Sequence, residues 1–291
     1  MTLNRALYAS ERRNSCYDIC KYFKNNSFYQ RFRTNTLALA MAGPTQYEGI
    51  AKQYDSLNDL PHAQLEKYLV TAAIGDCSNL TVLDIGGGSG THARKAVDAG
   101  ASVVDVIDVS SAMLDVGKDI ENSLGRSDKI RWHIGDATKS FTHLPLEREG
   151  YDIVMANWVF DHATTPAELD HMWVNVAAHC KPGGKLVNIR VTNFRSPVVT
   201  TGKYGIHFSD LEEIPGGVRY VVNYHTQPPF KHEGTSMAEN STISQDIFVR
   251  HGFGKLDVVA AIEWEAVKKD PEFWKMWLAD PNFAVLTARK A

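Results

Sequence analysis

Cysteine is scarce: Cys16, Cys20, Cys77 and Cys180 are the four in 291 residues. Only Cys16 and Cys20 lie close together, and their spacing fits neither a zinc site nor a redox pair. All four read as reduced thiols, with Cys180 a small core residue at the end of a helix. No apolar run approaches the roughly 18 residues that span a bilayer, so no membrane partner is expected. There is no G-x-S-x-G nucleophile turn and no Gly-Lys-Ser/Thr phosphate loop. No His, Cys, Asp and Glu cluster has metal-ligand spacing, so no metal is expected. Basic excess is lacking too. Lys and Arg number 31 against 34 Asp and Glu, for a net charge of -3, which argues against a broad nucleic-acid footprint. What remains is a 44% apolar globular chain, long enough for one large core with an insertion or for two small domains.

Residues 1–43 differ from the rest. They carry seven basic residues (Arg5, Arg12, Arg13, Lys21, Lys24, Arg31 and Arg33) and two acidic ones, Glu11 and Asp18. This stretch reads either as a poorly ordered extension or as an organelle transit peptide. The expected location is cytoplasmic, or mitochondrial if the transit reading holds. A domain is expected over 44–291.

From Tyr47 onward strand-like and helix-like segments alternate. Glu48–Asp55 and His62–Ile74 read as helices. Leu80–Ile85 is a short apolar run ending at glycines, hence a buried strand. Thr91–Ala99 is a helix, Val103–Asp108 a second strand, and Ser110–Ser123 a helix with Ser110 as N-cap. Strands follow at Lys129–Ile134, Tyr151–Ala156 and Gly184–Ile189, with a helix at Pro166–Cys180. Strands separated by helices imply a parallel sheet with right-handed crossovers. The rhythm breaks after Arg190: Val191–Gly234 is rich in Pro, Gly, Tyr and His and reads as an inserted cap or extra strands. It then resumes with a helix at Thr242–Arg250 and strands at Lys255–Ala260 and Phe283–Ala288.

The loop Gly86-Gly87-Gly88-Ser89-Gly90 joins the first strand to its helix. Glycines let the backbone turn sharply and approach a ligand with no Cβ in the way, and the helix amides that follow face that ligand. Asp108 ends the second strand, where a carboxylate can accept from both ribose hydroxyls. Asp136, after the third strand, can accept from an adenine amino group. All three loops lie at the carboxyl ends of parallel strands, where such sheets bind ligands. The glycine pattern is G-x-G-x-G, with Thr91 and His92 in place of the third glycine of the dinucleotide fingerprint.

The stretches VLDIGGGSG (82–90), VIDVSSAML (106–114), IGDAT (134–138) and YDIVMANWVFDH (151–162) resemble the successive motifs of class I S-adenosylmethionine-dependent methyltransferases, of the small-molecule type. The likeness covers roughly Tyr47 to Ile189 and is weaker beyond. It implies an α/β, Rossmann-like, seven-stranded and mostly parallel sheet with helices on both faces. The last strand would be antiparallel, and an insertion at about 191–240 would follow the fifth strand. Gln46–Asp55 is similar to the family's N-terminal lid, which brings Tyr54 to the cofactor. The resemblance implies that Gly86, Gly88 and Gly90 form the floor under the methionine moiety of S-adenosylmethionine. Asp84 would contact its amino group, although Asp84 reads equally as a structural carboxylate bonding loop amides. Asp108 would hold the ribose, and Val109 and Met113 would pack on adenine. Asp136 and Ala137 would define the adenine end, and Asn157 would border the donor sulfur.

Methyl transfer is a displacement in which the protein mainly supplies alignment and a dry site. A base is needed only where the nucleophile must lose a proton. His162 is the first candidate and Asp161 the second; each also reads as an ordinary loop residue. Trp158, Tyr204 and His225 are candidates for the acceptor pocket, with Phe208, His207 and Tyr224 near them. His92 reads as a solvent-facing residue at a helix start. The leading expectation is methyl transfer to oxygen or nitrogen of a small metabolite by a monomer or homodimer. The alternatives are a macromolecule methyltransferase and a cofactor-binding regulatory homologue without catalysis.

Overall fold

The computed structural model describes residues 46–291, so the expectations for residues 1–43, Cys16 and Cys20 included, lie outside the described residues. Strands β1 (Thr81–Ile85), β2 (Val103–Asp108), β3 (Ile130–Ile134), β4 (Tyr151–Asn157) and β5 (Cys180–Val191) run parallel to their neighbours. With β9 (Asp257–Val258) and β10 (Phe283–Arg289) they form a seven-stranded sheet in the order β3-β2-β1-β4-β5-β10-β9. β10 is antiparallel to both β5 and β9. This is the Rossmann-like sheet expected, with its last strand reversed.

The helices follow from local chemistry. They are α1 (Ala51–Tyr54), α2 (Pro61–Ile74), α3 (Thr91–Asp98), α4 (Ser111–Ser123), α5 (Pro166–His179), α6 (Pro197–Thr200), α7 (Asp246–Arg250), α8 (Glu265–Lys269) and α9 (Pro271–Ala279). Ser110 caps α4 by accepting from the Met113 amide at 3.3 Å. Thr165 caps α5 by accepting from the Glu168 amide at 3.2 Å, with Pro166 at the first helical position, where its missing N–H costs nothing. Successive strand residues face opposite sides of the sheet. Val82, Ile153 and Val187 therefore join one core with Leu65, Leu69 and Ile74 of α2. Leu83, Val154 and Leu186 join another with Leu169, Trp173 and Phe248. Each large side chain so buried is worth roughly 1.5–3 kcal/mol. Cys77 and Cys180 are buried free thiols. No helix among the described residues is long and apolar enough to cross a membrane.

The segment after β5 contains a separate three-stranded antiparallel sheet of β6 (Ile206–Ile214), β7 (Gly217–Tyr224) and β8 (Phe230–Met237). The segment 48–55, expected as one helix, is instead a 3-10 turn at Gln46–Gly49 followed by α1, because two side chains at its start are held by other parts of the chain. Gln46 donates Nε2 to the Glu233 carbonyl at 2.7 Å and accepts from the Glu233 amide at 2.7 Å. Glu48 accepts from the Ser110 hydroxyl at 2.9 Å. The helix expected from Thr242 begins at Asp246, after the Ser244 hydroxyl has accepted from the Asp246 amide at 3.1 Å. The strand expected over Lys255–Ala260 pairs only at Asp257 and Val258.

Candidate active site

The parallel strands β1, β2 and β4 deliver their carboxyl ends to one crevice, at the point where the chain order reverses about β1. That is where such sheets bind ligands. A cavity of about 420 Å³ opens there, within the range of small-molecule sites. Its floor is the loop after β1. Gly86 has φ +71°, and a Cβ there would lie 2.7 Å from Val159 Cβ; Gly88 has φ +54°, and a Cβ there would lie 2.9 Å from Met113 Cε. Both positions favour glycine on backbone, and Gly86 does so on space as well, since the Met113 terminus beside Gly88 can move aside.

Asp108 holds this loop. Its carboxylate accepts from the Gly88 amide at 2.8 Å and the Ser110 amide at 2.9 Å. Burial pushes Asp108 above the usual carboxylate range, and these amides draw it partly back. Asp136 closes its own turn, accepting from the Thr138 amide at 2.8 Å and hydroxyl at 2.7 Å.

Beneath the loop, polarity is left unmet. Asp84 is buried, and neither carboxylate oxygen has a hydrogen-bond partner of ordinary geometry. Burial, with Asp108 nearby, raises its pKa to about 7, against smaller opposing effects of His92 and the Ala93 amide. Asn157 is also buried, and both its side-chain polar atoms lack partners among the described residues. Unpaired buried groups cost stability, so this pair marks where a polar ligand belongs. His92, expected to face solvent, is buried, because its Nε2 lies 2.9 Å from Glu66 Oε1 on α2. Burial works to raise the Glu66 pKa, but the His92 hydrogen bond and charge hold it below the usual value.

On the other side, β4 turns through Trp158, at φ +62°, into a 3-10 turn over Val159–His162. Non-glycine residues in this region are strained and cluster at functional sites. Trp158 stacks on His62 at 6.3 Å. Four residues later, His162 Nε2 and the Tyr47 hydroxyl share a 2.9 Å hydrogen bond. Burial lowers His162 to about 4 and raises Tyr47 well above its ordinary value, so both are neutral. Asp161 also reaches the cavity wall, but its carboxylate accepts from Asn240 Nδ2 at 2.9 Å and from the Val191 amide at 3.3 Å. Burial raises it to about 7. Its bonding to the frame leaves it a holding role.

The cavity wall thus gathers Tyr54, Asp84, Gly86, Gly88, Asp108, Val109, Met113, Asp136, Ala137, Asn157, Trp158, Asp161 and His162 from the residues expected. Three expected residues are placed elsewhere. Gly90 is the left-handed N-cap of α3, and a Cβ there would lie 2.6 Å from the Trp132 ring, so its role is packing. Tyr204 is fully buried against Trp274, with rings 5.1 Å apart, and donates to the Phe273 carbonyl at 2.6 Å. His225 leaves the sheet after β7 and pairs through Nε2 with His207 Nδ1 at 2.8 Å. That side of the cavity is lined instead by Phe208, Tyr220, Val222, Tyr224 and His232 of the three-stranded sheet, with Tyr47, His62 and Glu66. Alternation along β7 puts Tyr220, Val222 and Tyr224 on one face, a signal present in the sequence once that strand is recognised.

Residues 82–184 match the family model of a methyltransferase domain. The Laribacter hongkongensis ubiquinone/menaquinone biosynthesis C-methyltransferase UbiE is 26% identical over 216 residues, covering 72% of this chain and 83% of that protein. The demethylmenaquinone methyltransferase of Renibacterium salmoninarum is 33% identical over 154 residues, 52% of this chain and 58% of that one. The CcbJ methyltransferase of Streptomyces caelestis shares the fold, with a TM-score of 0.55 at 17% identity, over 86% of this chain and 100% of that one. Residues 82–184 thus carry a methyltransferase domain, and the chain has the Rossmann-like fold of S-adenosylmethionine-dependent methyltransferases.

Proposed function

We propose that the enzyme methylates a small, flat, largely apolar metabolite. The observation that carries this reading is the continuity of one cavity, from the strand-end loops to the aromatic inner face of the three-stranded sheet. That sheet makes the 191–240 segment the acceptor cap. The acceptor atom expected from sequence was oxygen or nitrogen. The UbiE relatives are C-methyltransferases by name, so a ring carbon beside an oxygen joins that set.

The site's vacant polar atoms suit the cofactor. Asp84 would meet the ammonium of the methionine tail and Asn157 the region of the sulfur. Asp108 would use its remaining lone pairs for the ribose, and Asp136 would end the adenine pocket against Val109, Met113 and Ala137. When bound, S-adenosylmethionine supplies a methyl on a sulfonium, already a strong electrophile. The chain's own part is alignment, exclusion of water and movement of a proton. Alignment alone can supply roughly 7–11 kcal/mol of the barrier. His162, kept neutral by burial and held by Tyr47, is the proton acceptor we assign.

Incubation with methyl-labelled S-adenosylmethionine and a metabolite extract should label small aromatic compounds. Label confined to protein or nucleic acid would refute this reading.

A further inference from the structure

The inner face of the cap sheet is built from cross-strand rows. Phe208 pairs with Val222 in the adjoining strand, and Val222 pairs with His232 in the next. His232 is therefore an imidazole ending an otherwise apolar row, on the wall of the acceptor side. Its ring stacks on Tyr224 at 5.5 Å and 21°, and lies 5.6 Å from the Tyr47 ring and 6.1 Å from that of His162. Its Nδ1 is buried without a hydrogen-bond partner among the described residues. A strand position facing aromatics is satisfied by any flat apolar ring, so a nitrogen there adds only a cost unless something bonds it.

Resting on the reading above, we infer that His232 is a specificity residue, which binds a hydroxyl on the acceptor ring and turns that hydroxyl toward Tyr47 and His162. A neutral imidazole offers one donor and one acceptor, which matches a hydroxyl. Burial, with His162 beside it, lowers His232 to about 3, so it carries no charge to hold a carboxylate or phosphate. The acceptor class is therefore an uncharged phenol or enol. In methylation of the oxygen the hydroxyl proton leaves before or during attack; in methylation of the carbon beside it, loss of that proton activates the ring, and the proton on the attacked carbon then leaves as the oxygen is reprotonated, so this geometry serves both.

The test uses the full chain saturated with S-adenosylhomocysteine, with 1-naphthol and naphthalene as paired probes in calorimetry. Wild type should bind 1-naphthol about tenfold more tightly than naphthalene, the worth of one buried hydrogen bond. His232→Phe keeps the ring and its stacking on Tyr224. It should erase the preference while leaving naphthalene and S-adenosylhomocysteine affinities unchanged. His232→Asn, which keeps a donor and an acceptor, should retain part of it, and serves if the Phe variant fails to fold. Equal binding of both probes by wild type, or a preference surviving in His232→Phe, overturns the role of His232 while leaving the aromatic acceptor intact. Binding of S-adenosylhomocysteine without either probe overturns the aromatic-acceptor reading, and this inference with it.

Discussion

The hydroxyl of Tyr47 lies 2.9 Å from Nε2 of His162, across 115 residues of chain. The bond ties the N-terminal turn to the loop after β4, directly over the cavity. Tyr47→Phe removes the hydroxyl and leaves His162 without its anchor. Turnover should fall by about 10²–10⁴, the span of general acid–base contributions, with cofactor affinity within about twofold of wild type in calorimetry. His162→Asn should cost about as much, and the double variant little more, since partners in one contact are not additive. Additive losses would separate the two residues.

The proposed contact of Asp84 with the cofactor would make cofactor binding a proton-linked event. With its pKa raised to about 7 by burial, Asp84 is largely protonated at pH 6. A cation bound against it favours the ionised form, so binding there releases a proton. Affinity should then rise with pH up to about 7 and level off above. Calorimetry at pH 6 in buffers of different ionisation enthalpy should detect this proton in wild type, and none of it in Asp84→Asn.

Asp108 carries two duties at once, ordering Gly88 and Ser110 through their amides and, as proposed, holding the ribose. Asp108→Ala should weaken S-adenosylhomocysteine binding more than tenfold, since each bond to a charged acceptor is worth roughly 1.5–3 kcal/mol. Unchanged affinity would sink the ribose assignment.

Gly86→Ala tests the floor. The new Cβ would sit 2.7 Å from Val159 Cβ on backbone at φ +71°. The left-handed backbone alone costs about 1–2 kcal/mol, so the melting temperature should drop by about 2–8 °C. Val159→Ala added to it should restore only part, because it removes Val159 Cγ2, also 2.7 Å from the new Cβ, but keeps the Val159 Cβ and the backbone strain. Full recovery in the double variant would remove the backbone argument.

The strand-end half of the candidate site was legible as a cavity wall because each of its parts is short and contiguous. Asp84 to Gly88, Asp108 to Met113, and Asp136 with Ala137 each lie at one strand end, and strand ends are marked in sequence by an apolar run meeting glycine or aspartate. The acceptor half was not, because its members meet only through tertiary structure. Tyr47 reaches His162 from the far end of the domain, and His92 is buried only because Glu66 arrives on α2. Tyr204 and Tyr224 look alike in composition. Tyr204 turns into an aromatic core with Trp274, whereas Tyr224 shares a strand face with Tyr220 and opens on the cavity. That difference is set by strand register, which a tyrosine-rich segment does not announce.

Strand β8 borders its small sheet, and its outer flank offers main-chain groups to no neighbouring strand among the described residues. An open flank of this kind is a template for another molecule to add a strand, the first step of aggregation. The Gln46 carboxamide gives and takes one bond at the Glu233 peptide, standing in for a single residue of the missing strand. Loss of that side chain should therefore expose the flank and lower the concentration at which the protein stays dispersed.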